Sequence, residues 1–313
     1  MHSEPIISQA PYDGPLVSVV VPTSNSARTI GLCLSSIFGQ THSRIEAIVV
    51  DQRSKDETVS IVRTFPARLV TVPSGRTYLP PTKSRNVGAA KCSGEYLLHL
   101  DSDMELTPRV IESCVNASAN GTKAVVIPEI DAYNNYWGEC KALERSCYLG
   151  DPNQETPRFY AKGLFESLGG YDESLNAGED WDIRIRVENA RIPIVRTTDY
   201  LRHHIEGFNF FGNLRKKFHY ARSFAEYRRK HPQASRETLT LIRPGFWHNR
   251  KRLARDPLHA VGLGLQKISE AYCTALGMLF PIQRQDSAPL EGGRFEGSAL
   301  EANEATHPWT RRN

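Results

Sequence analysis

From residue 16 onward, short runs of β-branched apolar residues alternate with segments whose apolar residues recur at helical spacing, and this alternation restricts the possible folds more than any other feature. LVSVVVPT is a strand pattern, and the segment from Thr29 to Gln40 carries Ile30, Leu34, Ile37 and Phe38 on one helical face. IEAIVVD ends in Asp51. SKDETVSIVRTF then opens with Ser54 three residues before Glu57, the spacing of a capping box. ARLVTV, a polar Pro-containing loop, a helical stretch around SRNVGAAK and the strand EYLLHL continue the series. Strand and helix in steady alternation imply a mostly parallel sheet with helices on both faces, because parallel neighbours need crossover connections. The expected fold class is α/β, built on a Rossmann-type sheet.

A chain of 313 residues, 40% hydrophobic and 24% charged, can bury the core of one large α/β domain plus an extension, or of two small domains. The polar start MHSEPIISQAPYDGP has no basic region followed by an apolar one, so no secretory signal is read there. The most apolar stretch, LHAVGLGLQKISEAYCTALGMLF, is broken by Gln266, Lys267 and Glu270, so no membrane span is expected. The six cysteines form no CxxC pair, which suits reduced core thiols of a cytoplasmic protein rather than a disulfide framework. A net charge of +4 says little about partners by itself.

In sheets of this kind, ligands bind at the carboxyl ends of the strands. Thr23 and Asn25, Asp51, and Asp101 with Asp103 all stand at such ends. Turn and cap preferences account for Asn25 or Asp51 taken singly. They account poorly for DSD, where two carboxylates flank Ser102 with no lysine or arginine beside them in sequence. Like charges this close raise each other's pKa unless a cation offsets them. A hard divalent ion, Mg²⁺ or Mn²⁺, bridging carboxylate and nucleotide diphosphate suits such a pair, although DxD alone is short enough to recur by chance.

Taken together, VVVPTSNSARTIGLCLSSIFGQT, IVVDQRSKDET, KSRNVGAAKCSGEYLLHLDSD and GGYDESLNAGEDWDIRIRV resemble the glycosyltransferase family 2 enzymes of the GT-A fold, in the family's order. The resemblance implies inverting transfer of a sugar from a nucleoside-diphosphate sugar, with Mn²⁺ or Mg²⁺, to a glycan or lipid-linked acceptor of the kind found in cell envelopes. It implies that Pro22, Thr23 and Asn25 hold the nucleotide base, that Asp51 accepts a hydrogen bond from it, and that Arg85 approaches the phosphates. Asp101 and Ser102 would lie at the ribose and the metal, with Asp103 as direct metal ligand. In GEDWD, Asp180 matches the general base, leaving Glu179 and Asp182 as acceptor or structural contacts. His204, preferred to His203, would complete the metal site. Blander readings stand beside these: Arg85 as an exposed helix arginine, the acids of GEDWD as ordinary helix-start residues, and the chain as a catalytically silent scaffold of the same fold. A nucleotidyltransferase would need a Gly-rich basic loop after the first strand, and PTSNSART is not one.

The remaining charge bias lies between Leu214 and Arg255, with thirteen Lys or Arg against two Glu and no Asp. LRKKFHYARSFAEYRRK reads as one basic amphipathic helix, and Leu258 to Leu279 repeats the apolar spacing. Such helices either pack on the catalytic domain or lie at a membrane surface, where anionic lipids attract Lys and Arg. No nucleic-acid module surrounds them, so no nucleic-acid partner is expected. The expected divisions are a lead-in over 1–15, a catalytic domain over 16–210, a basic helical extension over 211–283 and a disordered tail over 284–313.

Overall fold

The computed structural model describes residues 13–72, 81–119, 121–151, 154–175, 177–205, 207–238 and 244–280. Most of the expected lead-in, most of the Pro-containing loop and the expected tail lie outside the described residues.

Strand β1 (Val17–Thr23), helix α1 (Ile30–Phe38), β2 (Ile45–Asp51), α2 (Thr58–Val62), β3 (Arg68–Thr71), α3 (Pro81–Ala89) and β4 (Tyr96–His99) follow in the order the periodicity predicts. Then come β5 (Met104–Leu106), α4 (Val110–Ala119), β6 (Ala124–Val126), β7 (Glu129–Ala132), α5 (Tyr136–Ser146), β8 (Phe159–Ala161) and α6 (Lys162–Ser167). Helix α7 (Glu179–Asn189) and strands β9 (Ile194–Arg196) and β10 (Leu201–His204) complete the strand-bearing part. The extension is helical: α8 (Phe210–Ser223), α9 (Ala225–Lys230), α10 (Pro232–Thr238), α11 (Pro244–His248), α12 (Arg250–Arg255) and α13 (Pro257–Leu279).

Seven strands form one sheet in the order β3-β2-β1-β4-β8-β6-β9, parallel except for β8, which runs antiparallel between β4 and β6. Along β1 the side chains alternate between two cores: Val17, Val19 and Val21 face the side of α1 and α4, while Val20 faces Ile48, Val50 and Leu97 on the other. Burial on both faces is why β1 reads as a near-continuous apolar run, with Ser18 buried inside it. Gly88 lets α3 lie directly on β1, since a Cβ there would run into Val20. The strand order turns between β1 and β4, so the crevice at their carboxyl ends is where this topology places a ligand.

A second sheet, β5-β10-β7, was not anticipated. Its strands MEL, EIDA and LRHH are three or four residues long and carry charges, too short to show a period. The expected capping box at Ser54 does not form. The Ser54 hydroxyl instead donates to Asp51 Oδ1 at 2.6 Å, α2 starts at Thr58, and Asp56 Oδ1 accepts from the Thr58 N–H at 3.1 Å.

The extension packs on the strand-bearing part rather than standing apart. The expected single basic helix breaks at Phe224, where Phe224 and Tyr227 bury against Leu175 and Ala177, with Trp181 alongside. Helix α13 packs along α8 and α5. Among the described residues no helix is long and apolar enough to cross a membrane. All six cysteines are free thiols, five of them buried.

Candidate active site

The loops after β1, β2 and β4 are tied into one floor. Asn25 sits in the left-handed region (φ 51°), which asparagine tolerates better than most residues. Its N–H donates to Ser54 Oγ at 2.8 Å, and its Oδ1 accepts from the Lys55 N–H at 2.9 Å. Ser54 in turn donates to Asp51, which is buried at the end of β2. Ser26 Oγ lies 2.9 Å from Ser102 Oγ, joining the β1 loop to DSD. Asn25, Asp51 and Ser102 therefore belong to one connected wall, with Thr23 buried at its base and Pro22 preceding it in β1.

Asp101 has the cation partners that its sequence neighbours do not supply. Arg85 Nη2 lies 2.8 Å from Asp101 Oδ1, and Arg158 Nη1 lies 3.2 Å from Oδ2. Burial opposes the charge, but these two guanidiniums hold the Asp101 carboxyl well below the usual range. Asp101, expected to share the metal with Asp103, thus turns both oxygens to arginines. The repulsion within DSD is offset by protein cations from α3 and from the residue just before β8.

Arg85 is not an exposed helix arginine. Its guanidinium is buried, lies 5.3 Å from the Tyr171 ring centroid, and reaches a second set of acids: Nη1 is 3.1 Å from Glu179 Oε1 and 3.6 Å from Asp180 Oδ1. These acids start α7 after Gly178, whose φ of 85° favours glycine and whose missing Cβ leaves room for the Tyr227 ring. Asp182 is buried and engaged by Arg186 at 2.7 Å and by His231 at 2.7 Å. Burial and the neighbouring Asp180 push Glu179 up, against the pull of Arg85. Asp180, with 32% of its side chain exposed and its nearest cation at 3.6 Å, is the least committed of the three. Lys230 of α9 pairs with Asp172 and donates to Ser174 at 2.8 Å, fastening the loop that leads into α7.

On the opposite rim, Asp103 is 45% exposed, and its Oδ2 lies 3.4 Å from His203 Nε2. His203 Nδ1 is 3.3 Å from Asp131 Oδ1. Burial opposes a charge on this ring, but Asp103 and Asp131 outweigh it and lift the imidazole to about 9. His204 projects from the other face of β10, as strand alternation requires, with Nε2 3.0 Å from Glu105 Oε2. The ring beside Asp103 is therefore that of His203, where sequence reasoning had preferred His204. Glu129 completes the chain of charges, 2.7 Å from Arg158 Nη2 and paired with Arg145; burial opposes its ionisation, and these arginines bring it down to about 2.

No group of three His, Cys, Asp or Glu side chains converges on one point among the described residues. The donors present are one open carboxylate and an adjacent imidazole. That set fits a hard divalent ion that takes most of its ligands from phosphate and water, not one caged by protein. Sequence reasoning missed Arg158, Glu129, Asp131 and Arg145. Each acts through an ion pair distant in sequence, which leaves no local pattern.

The family model described as Glycosyl transferase family 2 matches residues 18–172. Among curated proteins, a PGL/p-HBAD biosynthesis glycosyltransferase of Mycobacterium tuberculosis is 27% identical over 214 residues, covering 64% of this chain and 79% of the relative. The mannosyltransferase PcManGT from Pyrobaculum calidifontis, solved with GDP-Man and Mn²⁺, superposes with a TM-score of 0.60 at 18% identity, covering 88% of this chain and 91% of that one. S. aureus TarS superposes with a TM-score of 0.51 at 17% identity, over 84% of this chain and 55% of the TarS chain, so this chain spans just over half of that protein. At these identities the two structures are alike in fold alone.

Proposed function

We propose, because this chain belongs to glycosyltransferase family 2, that it moves a sugar from a nucleoside-diphosphate sugar to an acceptor hydroxyl with inversion, using Asp180 as general base. The observation that carries this reading is the reach of Arg85, which joins Asp101 to Asp180 and to Glu179, the latter 94 residues beyond Arg85 in the chain. Two acidic sites with different tasks thereby share one crevice. On the donor side, the wall of Thr23, Asn25, Asp51 and Ser102 receives the nucleoside, with Pro22 behind it. Asp103 and the adjacent His203 are the groups suited to hold Mn²⁺ or Mg²⁺, which when bound supplies charge stabilisation to the departing diphosphate. On the acceptor side, Asp180 accepts the proton of the attacking hydroxyl, while Glu179 stays on Arg85 and keeps the helix start in place.

The acceptor is met at an anionic membrane surface. Leu258, Val261, Leu265, Ile268, Tyr272 and Leu279 form an exposed apolar stripe on α13, and the exposed cations Arg250, Lys251, Arg252 and Arg255 of α12 precede it. Glu270, the one carboxylate in α13, is buried on the opposite side. An apolar face led by cations and lacking exposed acids matches an anionic bilayer, whereas two copies meeting through it would bring like charges together.

Incubating the full chain with a panel of nucleotide sugars and Mn²⁺, and scoring free nucleoside diphosphate, tests the reaction. Slow, metal-dependent release from one donor is expected. A silent scaffold would release none from any.

A further inference from the structure

Beside the crevice lies a cavity of about 260 Å³ whose walls include Trp181, Thr156 and three lysines, Lys141, Lys217 and Lys267. Each lysine comes from a different helix: α5, α8 and α13. Two of them are matched. Lys141 Nζ is 2.6 Å from Glu144 Oε2, and Lys267 Nζ is 2.9 Å from both Glu144 Oε1 and Glu270 Oε2. Other charges on the walls are also spoken for, since Arg145 pairs with Glu129 and Asp131, and Glu155 pairs with Arg196 at 2.6 Å. Lys217 is left over: among the described residues it has no hydrogen bond and no ion pair. Its desolvation, with Lys141 close by, draws its ammonium down to about 8. Lining a cavity with one more cation than the carboxylates can match is costly unless an anion enters it.

The cavity adjoins the reaction centre. Trp181 follows Asp180 in α7, and the wall residue Glu129 is held by Arg158, which also grips Asp101. Ammonium groups arriving from three helices suit a tetrahedral oxyanion better than a planar carboxylate, which favours the flat fork of an arginine. We propose that this cavity receives a phosphate group carried by the acceptor, held by Lys217 together with Lys141 and Lys267. The inference rests on the glycosyl-transfer reading and gives the helical extension a part in it, because α8 and α13 supply two of the three lysines. The phosphate is bound, not transferred; it fixes the acceptor so that its hydroxyl faces Asp180.

The test is calorimetric titration of the full chain with n-hexyl phosphate, n-hexanol, hexanoate and inorganic phosphate. It is repeated on Asp103→Ala, so that binding at the donor diphosphate position is recognised and set aside. Hexyl phosphate should bind, hexanol should not, and Lys217→Met should weaken the phosphate ester about tenfold or more, as loss of a charge-assisted contact does. An independent readout needs no variant: hexyl phosphate should slow acetylation of Lys217 in the native protein, scored by mass spectrometry, and hexanol should not. Unchanged affinity in Lys217→Met, or no protection of Lys217, would overturn the proposal. Equal affinity for inorganic phosphate would assign the cavity to a free ion and overturn the acceptor role. Failure of the transfer reading looks different, since nucleoside diphosphate would then not bind while Lys217 remained protected.

Discussion

Arg85 and Asp101 form the ion pair on which the crevice is organised, with Nη2 2.8 Å from Oδ1 and the other guanidinium nitrogen free to reach Glu179 at 3.1 Å. A fork with two separated donor directions can hold two acids apart by a fixed span, and an ammonium cannot. Arg85→Lys should therefore keep a positive charge yet lose the span. Transfer is expected to fall about a hundredfold, and thermal unfolding to occur several degrees lower, because Glu179 is left buried without its partner. Wild-type turnover in Arg85→Lys would show that the two acidic sites do not depend on this bridge.

Asp103 and the two histidines are separable by metal titration. Asp103→Ala should abolish the Mn²⁺ dependence of nucleoside-diphosphate binding, measured calorimetrically, because it removes the open carboxylate oxygen. Since His203 stands against Asp103 and His204 against Glu105, His203→Ala should weaken that dependence more than His204→Ala. The reverse order would place the imidazole ligand on the other face of β10.

Under the crevice floor, His99 is fully buried against Phe165 and Tyr171. Burial, with Arg85 nearby, draws its imidazole down to about 3. The unfolded chain takes up this proton near pH 6.5 and the folded chain does not until about pH 3, so the contribution is complete above pH 6.5 and is lost as pH falls through that window, at up to about 1.4 kcal/mol per unit. Urea unfolding at pH 7 and pH 4.5 should show this loss, and His99→Leu should reduce it. An unchanged pH difference in His99→Leu would mean that other groups set it.

Membrane attachment is tested by co-sedimentation with liposomes. The full chain should bind vesicles containing anionic lipid and release as salt rises, since each cation near the surface contributes about 1 kcal/mol within a Debye length. Leu265→Ser with Ile268→Ser, both on the exposed stripe, should weaken binding without altering donor hydrolysis. No binding to anionic vesicles at low salt would return α13 to an uncovered packing face.

The central strands were legible because burial on both faces writes a near-continuous apolar run, as in Val17–Val21, where buried Ser18 is the one polar residue. The second sheet was not, because MEL, EIDA and LRHH are too short and too polar to show a period. Asp101, Asp103 and Asp180 stand out through motif order; Arg158, which pairs with Asp101, does not, since an ion pair between distant segments leaves no mark on either. Lys217 has no local sign of its place, because the segment that holds it reads as one basic amphipathic helix. Adjacent helix residues point about 100° apart, and that turn leaves Lys216 exposed while Lys217 lines the cavity.

The central claim is that Asp180 takes the acceptor proton in a crevice that binds the donor without it, and Asp180→Asn measures this most directly, since it keeps the side-chain shape and removes the basic oxygen. Donor affinity, from titration with the nucleotide sugar that the panel identifies, should be nearly unchanged, while kcat for transfer falls about a hundredfold or more. Turnover at the wild-type rate with the same donor affinity would contradict the account and move the base to another group.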